Sequence, residues 1–207
     1  MTLFTALLRY AILLPAVFLS ACVTLERSYP DRRYFVIEVD VQQGKTAPSG
    51  GAHVLAVPNL HISPRYADRT FVYRTSETEY EADFYNQFLS LPATMITEEV
   101  RRGLAAAPMF KFVVGPSSAL SADYLLEGSI NALYGDFRNL RAPAAVLEIE
   151  FFLRNEDPAK AGIAMQKRYR KSVPLSERSP QALVKGWNQA LQEILAMFVA
   201  DLDQRKL

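Results

Sequence analysis

Three long stretches of alternating apolar and polar residues constrain the fold of this chain more than any other feature. They cover residues 123–137, 144–154 and 165–173, and turn-forming residues separate them. In the second stretch one set of alternate positions is apolar throughout: Ala145, Leu147, Ile149, Phe151 and Leu153. The pattern predicts three antiparallel strands with one buried face.

Two amphipathic segments are predicted to form helices that pack on this sheet. The first begins at Pro92, which suits the first turn of a helix, and ends near Pro108. Its apolar side carries Ile96, Val100 and Leu104. The second has Ser179 as its N-cap, Pro180 as its first helical residue and an end near Asp203. Its apolar stripe consists of Leu183, Trp187, Leu191, Ile194, Phe198 and Leu202.

Shorter segments predict further strands at residues 34–39, 53–62 and 110–114. Pro58 falls inside the second of these, which indicates an edge position or a bulge. The residues on either side of a polar turn at 75–79 predict a hairpin that projects from the body. Together these elements predict an α+β fold in a single domain, with a mixed, largely antiparallel β-sheet and two amphipathic helices packed on it.

Residues 1–21 have the three-part layout of a secretory signal peptide. A short start carries Arg9, an apolar run follows, and small residues end it. The uncharged segment from Tyr10 to Leu25 is only 16 residues long, and Pro15 interrupts it. A membrane-spanning helix needs about 20 apolar residues, so a secretory signal is favoured over a permanent transmembrane helix.

The sequence Leu-Ser-Ala-Cys that ends at Cys22 resembles a bacterial lipobox, in which a diacylglyceryl group is joined to the cysteine thiol before the signal is removed. The alternative is an ordinary signal peptide that is cut at a nearby small residue. On the lipobox interpretation, residues 1–21 are the signal peptide, residues 22–33 a lipid-anchored tether and residues 34–207 the domain. Val23 after the cysteine resembles the pattern of lipoproteins that are sorted to the outer membrane.

The charge balance limits what can hold this protein to a membrane or to a polymer. The chain has 23 basic and 22 acidic side chains, so it lacks the overall positive field of a general nucleic-acid binder. Attachment to a membrane would therefore depend on acyl chains, which contribute about 0.8 kcal/mol for each buried methylene. The 11 tether residues that follow Cys22 extend at most about 35 Å, which keeps the domain close to the membrane.

The sequence predicts no catalytic residue, no cofactor and no metal site. His53 and His61 lie at opposite ends of one predicted strand, about 26 Å apart, and cannot chelate one ion. Glu148 and Glu150 share a strand face, as the paired carboxylates of a glycosidase do. Basic residues on the next predicted strand favour salt pairs instead: Lys167, Arg168, Arg170 and Lys171. The same basic run would also suit anionic lipid headgroups.

Aromatic residues are concentrated in and around the predicted hairpin. The 23 residues 66–88 contain seven of them: Tyr66, Phe71, Tyr73, Tyr80, Phe84, Tyr85 and Phe88. Tyr80 and Phe84 face one side of the hairpin and Tyr85 the other, so one sheet face cannot bury all seven. Exposed aromatic rings commonly anchor interfaces, which predicts a partner-binding surface here. The alternative is that the segment folds back and packs as core.

The chain resembles the ABC-type transport auxiliary lipoproteins over nearly all of residues 22–203. The resemblance is carried, in order, by the lipobox at Cys22, by YFVIEV, by the run from HVLAVPNLHISPRYADRTFVYRTSETEY to MITEEVRRGL, by DYLLEGSINALYGDF and by SPQALVKGWNQALQEILAMFVADL. Members of that family commonly have tryptophan where Gly103 stands. This departure concerns a local packing contact.

The resemblance implies a non-enzymatic α/β domain on the periplasmic side of the bacterial envelope, anchored by palmitate-type acyl chains on Cys22. It implies that an MCE-domain protein and an ABC permease and ATPase are its partners in moving lipids across the envelope. Copies of the chain would also bind each other as a homo-oligomer. Two alternatives stay open: an activator of an envelope enzyme such as a cell-wall synthase, and a lipid-anchored hydrolase.

Overall fold

The computed structural model describes residues 31–40 and 51–205, and in these ranges the chain forms nine strands and two helices. The strands are β1 (Arg33–Phe35), β2 (His53–Ala56), β3 (His61–Ile62), β4 (Thr70–Arg74), β5 (Tyr80–Phe88), β6 (Phe110–Val114), β7 (Tyr124–Asp136), β8 (Ala144–Asn155) and β9 (Gly162–Pro174). The helices are α1 (Pro92–Ala105) and α2 (Pro180–Arg205). The predicted signal peptide and Cys22 lie outside the described residues. In the part that is described, neither helix combines the length and the apolar character that crossing a bilayer requires.

Strand β7 is the central strand of the sheet and pairs with four others. One of its edges pairs antiparallel with β8 along almost its whole length, and β8 pairs antiparallel with β9. Its other edge runs parallel to β2, β3 and β4 in turn. From there β2 pairs parallel with β6, while β4 pairs antiparallel with β5 and β5 parallel with β1. The predicted meander and the mixed sheet are confirmed.

The core lies between the helices and one face of this sheet. All five apolar positions predicted to share a face of β8 are at most 1% exposed, and so are all six positions of the predicted stripe on α2. Gly186 allows α2 to approach the sheet closely, because a Cβ at this position would lie 2.6 Å from the Cβ of Ala145. At Gly103, where a Cβ would lie 2.9 Å from Leu195 Cδ1, α2 occupies the space beside α1.

The single strand predicted at residues 53–62 is wrong, because the structure has two short strands with Pro58 between them. The predicted edge position is also wrong, since β6 and β7 flank β2 on both sides. Side chains of helix α1 form hydrogen bonds with the backbone on either side of Pro58. Arg101 Nε donates to the Val57 carbonyl oxygen at 2.9 Å, and the Leu60 amide donates to Thr97 Oγ1 at 3.0 Å. A proline without an N–H is accommodated at this point for that reason.

The predicted hairpin forms from β4 and β5, but it does not project from the body. Tyr73 and Arg74 of β4 pair in parallel with Gly135 and Asp136 at the end of β7. Five strands therefore join β1 to β8 in one continuous surface, in the order β1, β5, β4, β7 and β8. Most of the segment that was predicted to stand out belongs to the sheet.

Two element boundaries show side chains replacing regular backbone pairing. Strand β1 ends at Phe35, earlier than predicted, and beyond it the Val39 amide donates to the buried carboxylate of Glu99 at 2.8 Å. The predicted N-cap of α2 is confirmed, because Ser179 Oγ accepts a hydrogen bond from the Ala182 amide at 3.1 Å.

Candidate docking surface

The predicted aromatic set divides between the two faces of the sheet. Phe71 and Phe88 lie on the helix side, at most 2% exposed, with ring centroids 4.7 Å apart. Both rings contact Trp187 of α2, at 5.1 Å and 5.4 Å. These two phenylalanines are therefore part of the core and cannot touch a partner of the folded domain.

Tyrosines form a second, smaller cluster on the face away from the helices. Tyr66, which ends a short 3-10 turn over the sheet, stacks on Tyr134 at 6.1 Å, and Tyr80 meets the same ring edge-on at 5.9 Å. Burial, together with the neighbouring tyrosines, raises the pKa of Tyr66 to about 12. Tyr66 is 4% exposed, so it too serves packing rather than contact with a partner.

Strand β5 contains a bulge that no periodic pattern predicted. Thr70 of β4 pairs with Gln87 and the next residue, Phe71, pairs with Asp83, so Phe84, Tyr85 and Asn86 have no partner in β4. We call these three residues the Phe84 bulge. Phe84 is 56% exposed and its ring meets that of Tyr85 edge-on at 5.3 Å. The guanidinium of Arg32 lies 4.1 Å from the centre of the Phe84 ring.

The carboxylate of Asp83 holds this bulge in place. Its Oδ1 accepts hydrogen bonds from the amides of Tyr85 and Asn86 at 2.9 and 3.0 Å. Its Oδ2 accepts from Tyr73 Oη at 2.7 Å and from Asn86 Nδ2 at 2.6 Å. Burial alone would raise the pKa of Asp83, but these hydrogen bonds outweigh it and lower the pKa below its ordinary value. Four donors on one carboxylate fix the position from which Phe84 points outward.

A cleft of about 600 Å³ adjoins the bulge on the side of Tyr73 and Asn86. Tyr73 stacks on Phe137 in its wall, with centroids 5.0 Å apart and planes at 12°, and Arg178 covers the Phe137 ring at 5.3 Å. Arg138 in the same wall donates to Asp136 Oδ2 at 2.7 Å and to Glu77 Oε1 at 2.6 Å. Aromatic rings with arginine at their faces are the composition typical of protein interfaces.

The structure does not bring the predicted set to one surface, because Tyr80 lies on the face away from the helices whereas Tyr73 lines the cleft and shares the face of Phe71. Phe84 is exposed, and Tyr73, Tyr80 and Tyr85 are partly buried. Sequence reasoning missed Asp83 and the arginines of the cleft. A signal for the bulge exists in the sequence, because an aspartate followed three residues later by asparagine favours side-chain bonds to the local backbone over regular strand pairing.

Glu148 and Glu150 form the salt-paired ladder that was predicted. Glu148 faces Arg170 and Glu150 faces Arg168 in the register of β8 and β9. The carboxylate-to-guanidinium distances are 2.7 Å and 3.1 Å, and hydrogen bonds from Gln166 and Arg168 lower the pKa of Glu150. Both carboxylates are salt-bridged, and the pKa of Glu150 is lowered. This is opposite to the raised pKa of a glycosidase acid. Within residues 31–40 and 51–205 no cluster of three acidic or histidine side chains suits a metal ion.

Replacing Asp83 with asparagine is expected to lower the free energy of unfolding at pH 7 by about 1.5–3 kcal/mol, toward the lower end because the group is partly exposed. A folded-state pKa below the ordinary value means that this stabilisation is full above pH about 3.9 and is lost as the pH falls through the folded value. Chemical denaturation between pH 7 and pH 2 measures both the loss of unfolding free energy and its dependence on pH. The difference between the two proteins should shrink toward zero in acid.

The matched control is Glu81→Gln, an exposed carboxylate two residues earlier on the same strand. It should leave the free energy of unfolding within about 0.5 kcal/mol of the original. A loss that is equal for both variants, or that does not change with pH, would contradict the assigned role of Asp83.

The mixed sheet and its helical layer define a two-layer α+β domain, and the Phe84 bulge gives it a surface with the composition of a protein contact. Sequence comparison identifies the family: residues 35–198 match the model of the ABC-type transport auxiliary lipoprotein component. The chain belongs to this family of auxiliary transport lipoproteins. No protein of curated function matches its sequence.

Solved structures show the same fold at low sequence identity. A protein from Xanthomonas campestris superposes with a TM-score of 0.69 at 16% identity, covering 81% of this chain and 92% of that one. An uncharacterized protein gives a TM-score of 0.66 at 15% identity, over 83% of this chain and 99% of its own. A hypothetical protein from Chlamydia trachomatis gives 0.51 at 13% identity, over 74% and 97%. The fold is therefore shared by proteins of very different sequence.

Proposed function

We propose that this protein is a lipid-anchored, non-catalytic component of an MCE-type ABC transport system that moves lipids across the bacterial envelope. The family match over residues 35–198 carries this proposal. The signal peptide of residues 1–21 directs export, and acyl chains of the palmitate type on Cys22 anchor the mature chain. The domain lies on the periplasmic side, with the anchor in the outer membrane, and it fixes the partner complex at the membrane.

Docking takes place through the Phe84 bulge, which includes the partly buried ring of Tyr85. Two observations support this choice. The Phe84 ring is large and 56% exposed, so a partner that covers it gains apolar contact area. Because Asp83 fixes the bulge before binding, little conformational entropy is lost when the partner docks.

The test is crosslinking in cells of the native host, followed by purification of the full chain from solubilised membranes and identification of what is attached to it. We expect an MCE-domain protein together with an ABC permease and ATPase. Recovery of a cell-wall synthase without any MCE-domain protein would favour the alternative in which the protein activates an envelope enzyme.

Phe84→Ala is expected to lower recovery of the partner by about tenfold or more, since truncating an interface anchor costs at least 1–2 kcal/mol. Phe112→Ala is the matched control. Phe112 is 49% exposed on β6, away from the bulge, and its loss should leave recovery unchanged. Equal recovery with both variants would contradict docking at the bulge. It would leave the proposed lipid anchor untouched.

The hydrolase alternative has a direct assay. Generic ester and glycoside substrates are screened with the purified full chain, and we expect no turnover. Activity that disappears in Glu148→Gln or Glu150→Gln would overturn the non-enzymatic proposal. The ion pairs of these two carboxylates with β9 support a structural role instead.

A further inference from the structure

Apolar side chains are exposed where the described domain begins and around the start of α1. Tyr34 and Val36 are 49% and 41% exposed, and Leu89 and Leu91 are 57% and 53% exposed. We call these four residues the apolar edge. Single exposed apolar residues are ordinary on protein surfaces, but four large ones in one region indicate contact with another apolar surface.

Backbone pairing and Arg69 place the segments that carry Tyr34 and Leu89 side by side. Along this segment Phe35, Ile37 and Val39 turn toward the core, so Tyr34 and Val36 share the outer face. The Leu89 amide donates to the Phe35 carbonyl oxygen at 2.8 Å, which places Leu89 beside β1. Arg69 joins both parts, since its guanidinium lies 5.8 Å from the Tyr34 ring centre and donates to the Leu89 carbonyl oxygen at 3.2 Å.

The two leucines lie in a connection that packing does not require to be apolar. Leu89, Ser90 and Leu91 join β5 to α1, and all three are exposed. The next residue, Pro92, is buried and begins the helix, so the C-terminal end of this loop is held in place. The result is a short loop that holds two leucine side chains in solvent at the edge of the sheet.

We propose that the apolar edge inserts into the interfacial layer of the lipid bilayer to which the chain is anchored. This proposal rests on the proposed acylation of Cys22, because Tyr34 follows directly after the tether of residues 22–33. Tyr34 is the twelfth residue after Cys22, a span of at most about 40 Å when extended, so the tether limits how far this edge of the domain can lie from the membrane.

The chemistry of the edge suits a bilayer better than it suits another strand. Tyrosine rings concentrate at the boundary between water and lipid, and an arginine beside them keeps its charge in the polar layer while its stem lies along apolar surface. Strand β1 is only three residues long, which makes it a poor template for pairing with a second copy. The mature chain carries 22 basic and 22 acidic side chains, so insertion in neutral phosphatidylcholine is expected.

Tryptophan fluorescence in vesicles tests this contact. Trp187, the single tryptophan of the chain, is completely buried and provides an internal reference. The full mature chain is purified from membranes, checked for acylation by intact mass and reconstituted into phosphatidylcholine vesicles with brominated acyl chains. In Leu89→Trp, and separately in Leu91→Trp, we expect a blue shift and loss of most of the added emission, with wild-type emission unchanged.

The matched control is Ile163→Trp, in which the native side chain is 63% exposed on β9, the edge strand at the other side of the sheet. Five strand spacings, about 24 Å, separate β9 from β1, so bromine should not quench this tryptophan. Unquenched emission from both leucine variants in acylated, vesicle-bound protein would overturn the proposal, whether the edge then faces water, a protein partner or a second copy.

The same measurement separates this contact from the anchor. If intact mass shows no acyl groups, the proposed anchor fails, and the unacylated chain is mixed with the same vesicles. Quenching of Leu89→Trp would then support the apolar edge as a membrane contact in its own right. Absence of quenching would overturn it together with the anchor.

Discussion

Trp187→Ala is expected to lower the free energy of unfolding by about 3–5 kcal/mol, the range observed when large aromatic core residues are truncated. Trp187 is completely buried, and its ring contacts Phe71 and Phe88 across the interface between α2 and the sheet. Its Nε1–H also donates to the Tyr134 carbonyl oxygen at 3.4 Å. The substitution therefore removes apolar contacts and leaves a cavity where the helix attaches.

Denaturant titration followed by far-ultraviolet circular dichroism measures this effect, because the variant has no tryptophan left to report by fluorescence. Trp187→Phe keeps an aromatic ring at the position, so its free energy of unfolding should fall distinctly less. This variant can still be measured if the alanine variant does not fold. Ile163→Ala, at an exposed position, should stay within about 0.5 kcal/mol of the original. A loss below about 1 kcal/mol for Trp187→Ala would contradict the described packing of α2.

The sequence predicted the elements whose side chains repeat with a regular period over many residues. Leu183, Trp187 and Leu191 recur at helical spacing, and every one of them is buried on the sheet. Ile149 and Phe151 alternate with Glu148 and Glu150, and the structure buries the first pair and salt-bridges the second. In such stretches one face meets the core, so burial and period carry the same information.

The sequence did not predict features that depend on a single side chain from elsewhere in the chain. The strand around Pro58 ends early because Thr97 and Arg101 of α1 bind its backbone, and these residues are about 40 positions away. The hairpin stays in the sheet because β7, more than 50 residues later in the chain, pairs with β4. Such long-range partners leave no local pattern in composition or spacing.

The candidate docking surface was predicted only as a concentration of aromatic residues. Composition alone did not distinguish the buried rings of Phe71 and Phe88 from the exposed ring of Phe84. The bulge that the Asp83 carboxylate holds interrupts the alternation of β5, so Phe88 faces the helices although Phe84, four residues earlier, is exposed. The apolar edge was not predicted for a related reason. Leu89 and Leu91 lie between an apolar strand and an apolar helix, so the sequence alone does not indicate that they are exposed.

Cys22→Ser is expected to abolish the acyl modification and with it cleavage before residue 22. Wild-type protein extracted from membranes of the native host should have the mass of residues 22–207 plus a glyceryl group and its acyl chains. The variant should have the unmodified mass of a longer chain that retains its leader, because lipoprotein processing requires the acylated thiol. Intact mass spectrometry of both proteins, after separation of membrane and soluble fractions, is the measurement.

Thr24→Ser is the matched control, since it changes a tether residue next to the lipobox and leaves the thiol in place. It should show the wild-type mass and the wild-type membrane fraction. Wild-type protein that is unmodified and soluble would contradict the anchor and favour an ordinary secretory signal. Retention of residues 1–21 in the wild type would instead favour a transmembrane leader. Because the expected mature chain has equal numbers of basic and acidic residues, net charge would not replace the proposed anchor, to which buried acyl chains would contribute about 0.8 kcal/mol per methylene.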